Sequence, residues 1–182
     1  IPPDGTNPAD FFIWGLIPMW AKDPSIGNRL INARGETIAE KPSFRGSFKH
    51  KRCLILADGF YEWKASPVKK TKTPYFIHMK DRKPFAFAGL WDAWESPDGS
   101  SIRTCTIITT EPNELMETLH NRMPVILHPR DHAKWLDASH QTPENLLTLI
   151  KPYPADAMSA HPVSTLVNNP SNDSPELVVP AS

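Results

Sequence analysis

Proline is the residue that most constrains this chain, because it occupies 20 of the 182 positions, roughly twice its usual share. Proline lacks a backbone N–H and interrupts both helices and inner strands. Long helices are therefore not expected to dominate, and short strands joined by irregular loops are predicted. The length is sufficient for one domain with a hydrophobic core.

Apolar segments bounded by glycine, proline and polar residues predict a series of short strands. We expect strands at Phe11–Pro18, Cys53–Ala57, Tyr75–Lys80, Phe85–Leu90, Ile102–Thr109 and Pro124–Leu127. The dipeptide Asp58-Gly59 predicts a tight turn. Residues 81–84 predict a hairpin loop between the third and the fourth of these strands.

Most helix signals lie in short stretches late in the chain, and one further short helix, interrupted near Pro42, is expected within Thr37–Lys49. Thr110 is a candidate N-cap, with Pro112 in the first turn of a helix that reaches His120. Two more helices are expected, at Asp131–Leu136 and, capped by Thr142, at Pro143–Ile150.

Because strands and helices do not alternate regularly, the predicted fold class is α+β. We expect a strand-led mixed domain, with a sheet or barrel core and short peripheral helices. Residues 1–182 are interpreted as a single domain, in which residues 154–182 form a proline-rich C-terminal arm.

Several classes of protein are disfavoured. No stretch approaches the roughly 18 apolar residues of a membrane-spanning helix, and no secretory signal is visible. Two cysteines, Cys53 and Cys105, cannot form a disulfide framework, so a reducing compartment, the cytoplasm, is expected. The chain has no phosphate loop, serine elbow or paired-cysteine motif. His128 and His132 are separated by a proline, and neither a metal nor a cofactor is predicted.

Charge is balanced overall but not along the chain. Between Arg29 and Lys83 there are 14 Lys and Arg against 5 Asp and Glu, a net +9, while the remainder carries −9. Aromatic residues lie beside these charges, at Phe44, Phe48, Phe60, Tyr61 and Trp63, a pattern typical of proteins that bind single-stranded nucleic acid. The alternative is a solvated basic face over core aromatics. The basic residues fall into two groups: Arg45, Lys49, His50, Lys51 and Arg52, then Lys64, Lys69, Lys70 and Lys72.

Three polar segments are candidates for chemistry. Ile31–Glu36 contains Arg34; Asp58–Trp63 places Glu62 between two aromatic rings; Leu119–Pro124 places His120 near the end of a predicted helix. A carboxylate and an imidazole are the usual groups for proton transfer near neutral pH. Each also has a structural explanation: a salt bridge for Arg34 or Glu62, and a polar C-cap for His120.

Taken together and in order, four segments resemble the SOS response-associated peptidase (SRAP) family. They are Trp14–Trp20 (WGLIPMW), Ile31–Glu36 (INARGE), Arg52–Trp63 (RCLILADGFYEW) and His120–Pro124 (HNRMP). The resemblance extends from about Phe11 to Pro129 and continues weakly to Ser174–Leu177.

The resemblance implies a sensor of abasic sites in single-stranded DNA. Family members remove their initiator methionine autocatalytically, and the exposed cysteine forms a thiazolidine with the ring-opened sugar. By the same resemblance Asn32 orients that cysteine, Arg34 binds the adjacent phosphate and Trp20 stacks on a flanking base. Glu62 shuttles protons, and His120 protonates the sugar ring oxygen. We expect these groups to share one cleft in a monomer.

The sequence begins at Ile1, so we expect the cysteine-bearing segment to lie outside it. Two other functions stay open: a non-covalent binder of single-stranded DNA, and a peptidase that acts on other proteins through Glu62 and His120.

Overall fold

Strands dominate the computed structural model, which describes residues 8–66, 71–139 and 142–181. The strands are β1 (Ile13–Trp14), β2 (Asn32–Arg34), β3 (Arg52–Ala57), β4 (Phe60–Ala65), β5 (Lys72–Met79), β6 (Phe85–Glu95), β7 (Ser101–Thr110), β8 (Met123–Pro124), β9 (Ile126–Leu127) and β10 (Met158–Pro162). The α-helices are α1 (Arg45–His50), α2 (Glu114–Glu117), α3 (His132–Leu136) and α4 (Pro143–Leu147). The predicted α+β class is confirmed.

The chain groups into two compact units. The first takes the described residues of 1–55, 86–110 and 124–151, and the second those of 56–85, 111–123 and 152–182. Among the described residues, no helix has the length and apolar character needed to cross a bilayer.

The sheet of the first unit is built on the antiparallel pair of β6 and β7, and its strand order is β1-β7-β6-β3. Strands β1 and β2 both pair with β7 in parallel, and β9 pairs with β6. The largest side chains of its core include Phe48, Leu90, Ile108 and Trp135, each nearly inaccessible to solvent. Short helices α1, α3 and α4 supply part of this core.

Arg52 joins two of these helices through its buried guanidinium. The guanidinium donates to the carbonyl oxygens of Phe48 and Lys49 at 2.7 Å each, and to that of Trp135 at 2.6 Å. It also donates to the carbonyl oxygen of Asp137. Carbonyls at the end of a helix lack intrahelical partners, so this side chain satisfies the C-terminal ends of α1 and α3 together.

The second unit contains a three-stranded antiparallel sheet with the order β10-β5-β4. Helix α2 is capped by Asn113, whose side chain accepts from the N–H of Met116 at 2.9 Å and donates to the carbonyl oxygen of Tyr153 at 2.6 Å. The predicted C-terminal arm includes strand β10, and every residue of β10 pairs with a residue of β5.

Three local predictions are wrong. The predicted strand Phe11–Pro18 is reduced to two exposed residues, since Gly15 has a φ of +119° and ends the strand. The predicted hairpin does not form, because β5 pairs with β4 and β10 whereas β6 pairs with β7. Thr110 is not an N-cap, because β7 continues through it and Asn113 caps α2 instead. The N-cap at Thr142 is confirmed, with its Oγ1 accepting from Asn145.

Gly35, the residue that follows β2, is packed so closely against Ile150 and Thr109 that a side chain does not fit there. A Cβ there would lie 2.3 Å from Cγ2 of Ile150 and 3.3 Å from the carbonyl oxygen of Thr109. We predict that Gly35→Ala lowers the free energy of unfolding by about 1–3 kcal/mol, the usual cost of overpacking. Denaturant unfolding measures it.

Gly46→Ala is the matched control, because a Cβ at Gly46 would meet nothing within 4 Å and alanine favours a helix by up to about 1 kcal/mol. Equal stability of the two variants would contradict this account of the packing behind β2.

Candidate functional site

Strand β2 presents two of the predicted site residues on one face. Asn32 and Arg34 are exposed, while Ala33 between them is fully buried. Successive side chains of a strand point to opposite faces, so burial of Ala33 in the core orients both neighbours toward solvent. The parallel register pairs Asn32 with Ile107 and Arg34 with Thr109.

The residue before β2 is held by an aromatic side chain. Nε1 of Trp14 donates to the carbonyl oxygen of Ile31 at 2.7 Å, and that oxygen also accepts from the N–H of Ile107 at 3.2 Å. The start of β2 is therefore bonded both to β7 and to the first tryptophan of the WGLIPMW segment.

Arg34 carries an available positive charge. Across residues 8–66, 71–139 and 142–181, no hydrogen bond or ion pair involves its guanidinium. An exposed arginine with unused donors is suited to bidentate contact with a phosphate.

Trp20 lies at an exposed turn of the first unit. The turn closes through the N–H of Ala21, which donates to the carbonyl oxygen of Pro18 at 2.8 Å. Met19 and Trp20 are 67% and 56% exposed. An exposed indole is an effective surface for stacking on a base.

The second unit brings together the two predicted acid–base groups. Oε2 of Glu62 lies 3.9 Å from Nδ1 of His120, and their side chains are 23% and 42% exposed. Glu62 is on β4, directly opposite Tyr75, and its Oε1 accepts from the N–H of Trp63 at 3.1 Å. One carboxylate oxygen is thus oriented by the backbone while the other faces the imidazole.

His120 follows α2 and is held by local backbone. Its N–H donates to the carbonyl oxygen of Met116 at 2.8 Å, and its Nδ1 accepts from the N–H of Arg122 at 3.2 Å. The helix itself ends three residues earlier, at Glu117. Nδ1 also lies 3.3 Å from the carbonyl oxygen of Arg122, so it accepts from the Arg122 N–H in one tautomer and donates to that carbonyl oxygen in the other.

The structure therefore places Asn32, Arg34 and Trp20 in the first unit, and Glu62 and His120 in the second. Asn32 and Arg34 share a strand, and Glu62 and His120 are in contact distance for an ion pair. The single cleft expected for these groups stays a prediction.

The alternative interpretation of the basic stretch, a solvated basic face over core aromatics, is wrong for two members of the first basic group. Arg52 is buried among backbone carbonyls, and Nζ of Lys51 lies 2.6 Å from Oδ1 of Asp92. Arg45, Lys49 and His50 are exposed on α1. In the second basic group Lys64 and Lys72 are exposed, whereas Lys69 and Lys70 lie outside the described residues.

Both cysteines are poor nucleophiles in this fold. Burial, with a smaller contribution from the Cys105 thiol, raises the pKa of Cys53 to about 12, and burial also raises the pKa of Cys105. Both are free thiols. The nucleophile is a thiolate, so neither cysteine, Cys105 being buried and Cys53 partly buried, is suited to nucleophilic attack.

The described ranges contain no group of three His, Cys, Asp or Glu side chains placed to hold a metal ion.

Sequence analysis missed one charged residue near the site. Asp92 is 5% exposed and accepts from the backbone N–H of Met19. A signal was present, because Asp92 is the only charged residue of the stretch from Phe85 to Trp94, and a buried charge needs a partner.

Comparisons with known proteins agree on one family. The family model for SOS response associated peptidase (SRAP) matches residues 3–170. The chain is 55% identical over 165 residues to the abasic site processing protein YoqW of Bacillus subtilis, covering 91% of this chain and 73% of that protein. It is 36% identical to the abasic site processing protein HMCES of Rattus norvegicus, covering 92% and 55%.

A crystal structure of a protein from Bacteroides thetaiotaomicron has a similar fold, with a TM-score of 0.87 and 34% identity over 94% of this chain and 76% of that one. The matched length and the identities leave one assignment: the chain belongs to the SRAP family.

Proposed function

We propose that this protein acts at abasic sites in single-stranded DNA and forms a covalent thiazolidine with the lesion through an amino-terminal cysteine. The relatives named abasic site processing proteins support the lesion as substrate. The observation that carries the chemistry is the Glu62–His120 pair, a carboxylate and an imidazole 3.9 Å apart and both partly exposed.

The proposed reaction needs both an acid and a base. The terminal amine adds to the aldehyde carbon of the opened sugar, and loss of water gives a Schiff base. The thiol sulfur then adds to the imine carbon while the nitrogen takes up a proton, which closes the thiazolidine. Sugar-ring opening and each addition move protons. In this proposal His120 protonates the ring oxygen, and Glu62 transfers protons, also during removal of the initiator methionine.

Recognition of the lesion depends on what an abasic site retains. It lacks a base edge, so the contacts that hold the strand must be made to the sugar-phosphate backbone and the flanking bases. Arg34 supplies an exposed cation for the adjacent phosphate, and Trp20 supplies an exposed ring for a flanking base. Asn32, two residues from Arg34 on the same face of β2, is proposed to orient the terminal cysteine.

Neither Cys53 nor Cys105 is proposed as this nucleophile, because burial raises the pKa of both thiols. The free thiols support a reducing compartment, and we propose that the protein is a cytoplasmic monomer, associated with the nucleoid in a bacterial host.

We predict that Glu62→Gln slows cross-linking by about 10²-fold or more, the usual contribution of a general acid–base group. The full gene product is mixed with abasic single-stranded DNA, and the adduct is followed on a denaturing gel. Glu117→Gln, which alters an exposed residue of α2 in the same unit, is the matched control and keeps the wild-type rate.

Absence of a gel-stable adduct with the wild type, or persistence of the adduct when the native terminal cysteine is replaced by alanine, contradicts the covalent mechanism. Binding without an adduct then favours the non-covalent alternative. Hydrolysis of a peptide substrate that is lost in Glu62→Gln favours the peptidase alternative.

We predict that Arg34→Ala weakens DNA binding. The slope of log K against log salt concentration, which is negative, should become shallower by about 0.7 to 1, the contribution of one phosphate contact. Fluorescence anisotropy at several salt concentrations measures both quantities. Arg130→Ala is the control, because Arg130 is also exposed, at 77% of its side chain, but lies outside the basic segment. An unchanged slope in Arg34→Ala argues against a phosphate contact.

We predict that Cys53→Ala and Cys105→Ala form the adduct at the wild-type rate. At pH 8, with the pKa of Cys53 at about 12, roughly one Cys53 thiol in ten thousand is ionised. Iodoacetamide labelling followed by mass spectrometry should modify Cys53 far more slowly in the folded protein than in urea. Rapid labelling of the folded protein, or loss of the adduct in either variant, would refute this prediction.

A further inference from the structure

The turn that carries Trp20 is held by a buried carboxylate. Asp92 lies on β6, and its Oδ2 accepts a hydrogen bond of 2.9 Å from the N–H of Met19, the residue before Trp20. A carboxylate is costly to bury unless it is paired and hydrogen-bonded. The fold nevertheless keeps one at the base of an exposed turn.

Both oxygens of this carboxylate accept hydrogen bonds. Oδ1 accepts from Nζ of Lys51 at 2.6 Å and from the N–H of Ala93 at 2.9 Å. Nζ of Lys51 also lies 5.5 Å from the centroid of the Trp91 ring, within range of a cation–π contact. Lys51 is thus the counter-ion of Asp92, and the pair leaves one negative oxygen directed at the backbone of Met19.

Two other side chains hold the same segment of backbone. Oγ1 of Thr104 accepts from the N–H of Ile17 at 2.8 Å, and Nε1 of Trp94 donates to the carbonyl oxygen of Ala21 at 2.7 Å. Asp92 pairs with Thr104 across β6 and β7, and Trp94 is two residues further along β6. All three therefore project from one face of the same ladder.

We propose that Asp92 is a positioning residue, whose carboxylate fixes the backbone at Met19 so that the Trp20 ring is held in place for stacking on a base beside the lesion. This inference rests on the stacking role given to Trp20 in the proposed function. A ring whose backbone is already ordered loses less conformational entropy on binding than one on a loose turn. Asp92 itself does not touch DNA in this proposal.

The test uses a DNA strand that cannot form a covalent adduct. Single-stranded DNA with a tetrahydrofuran residue, which lacks the aldehyde, carries 2-aminopurine next to that residue. Stacking on Trp20 in the full gene product quenches the 2-aminopurine fluorescence. Trp20→Ala is expected to weaken binding about tenfold and to abolish the quenching, given the usual contribution of base–aromatic stacking.

Asp92→Ala is expected to weaken binding at least about fivefold and to lose most of the quenching, while the double variant binds no more weakly than Trp20→Ala alone. The salt slope stays at the wild-type value, because no phosphate contact is removed. Additive effects of the two substitutions, or a slope that becomes shallower as in Arg34→Ala, would overturn the proposal.

Two variants separate hydrogen bonding from charge. Asp92→Asn keeps an oxygen that can accept from Met19 and is expected to keep more than half of the quenching. Asp98→Asn removes one negative charge at an exposed loop of the same unit and is expected to match the wild type. Quenching lost equally in Asp92→Asn and Asp98→Asn points to net charge and overturns the proposal.

A measurement on the free protein is independent of DNA. In Asp92→Ala, amide hydrogen exchange at Met19 is expected to accelerate at least tenfold, and the {¹H}–¹⁵N NOE of the Trp20 indole to fall. Asp92→Ser replaces Asp92→Ala if the latter lacks a cooperative unfolding transition. An equally protected amide and an equally rigid indole overturn the proposal. Wild-type binding by Trp20→Ala instead removes the stacking role from the proposed function.

Discussion

The placement of Asn32 and Arg34 depends on a single strand, β7. One edge of β7 receives β1 and β2 in parallel, and the other pairs with β6. This register buries Ala33. Because side chains alternate between the two faces of a strand, Asn32 and Arg34 face solvent. A slip of one residue would bury the arginine and expose the alanine. Hydrophobic burial at one position thus determines the exposure of two polar ones.

The second unit uses a different device for its acid–base pair. A strand residue, Glu62, is set by the antiparallel ladder of β4 and β5, while His120 is set by a short helical turn that starts at Asn113. The cap side chain also bonds to the backbone of Tyr153, so the C-terminal residues stabilise the turn that carries the imidazole. Tyr153, which lies far from His120 along the chain, therefore contributes to the geometry of the candidate site without supplying a reactive group.

Charged residues in this chain serve two purposes that composition cannot separate. Arg52 and Lys51 belong to the densest basic run, yet one satisfies helix carbonyls and the other neutralises Asp92. Arg34 has the same formal charge and is exposed on β2. The difference is burial: Arg52 is itself buried and Lys51 is paired with the buried Asp92, and a buried charge needs partners within the protein because its desolvation is otherwise uncompensated.

The sequence by itself determined the α+β class, the short elements and the family, since proline frequency, local apolar patterns and ordered motifs are local properties. It also located Asn32, Glu62, His120, Arg34 and Trp20 as candidates. Only the tertiary structure decided strand pairing, which assigned β5 and β6 to different sheets, and the true cap at Asn113. Only the tertiary structure showed that Arg52 is buried whereas Arg34 is exposed, and only it identified the partners of Asp92. Those outcomes depend on contacts between residues far apart in the chain, such as Asp92 with Met19 and with Lys51, and local sequence carries no direct signal for them.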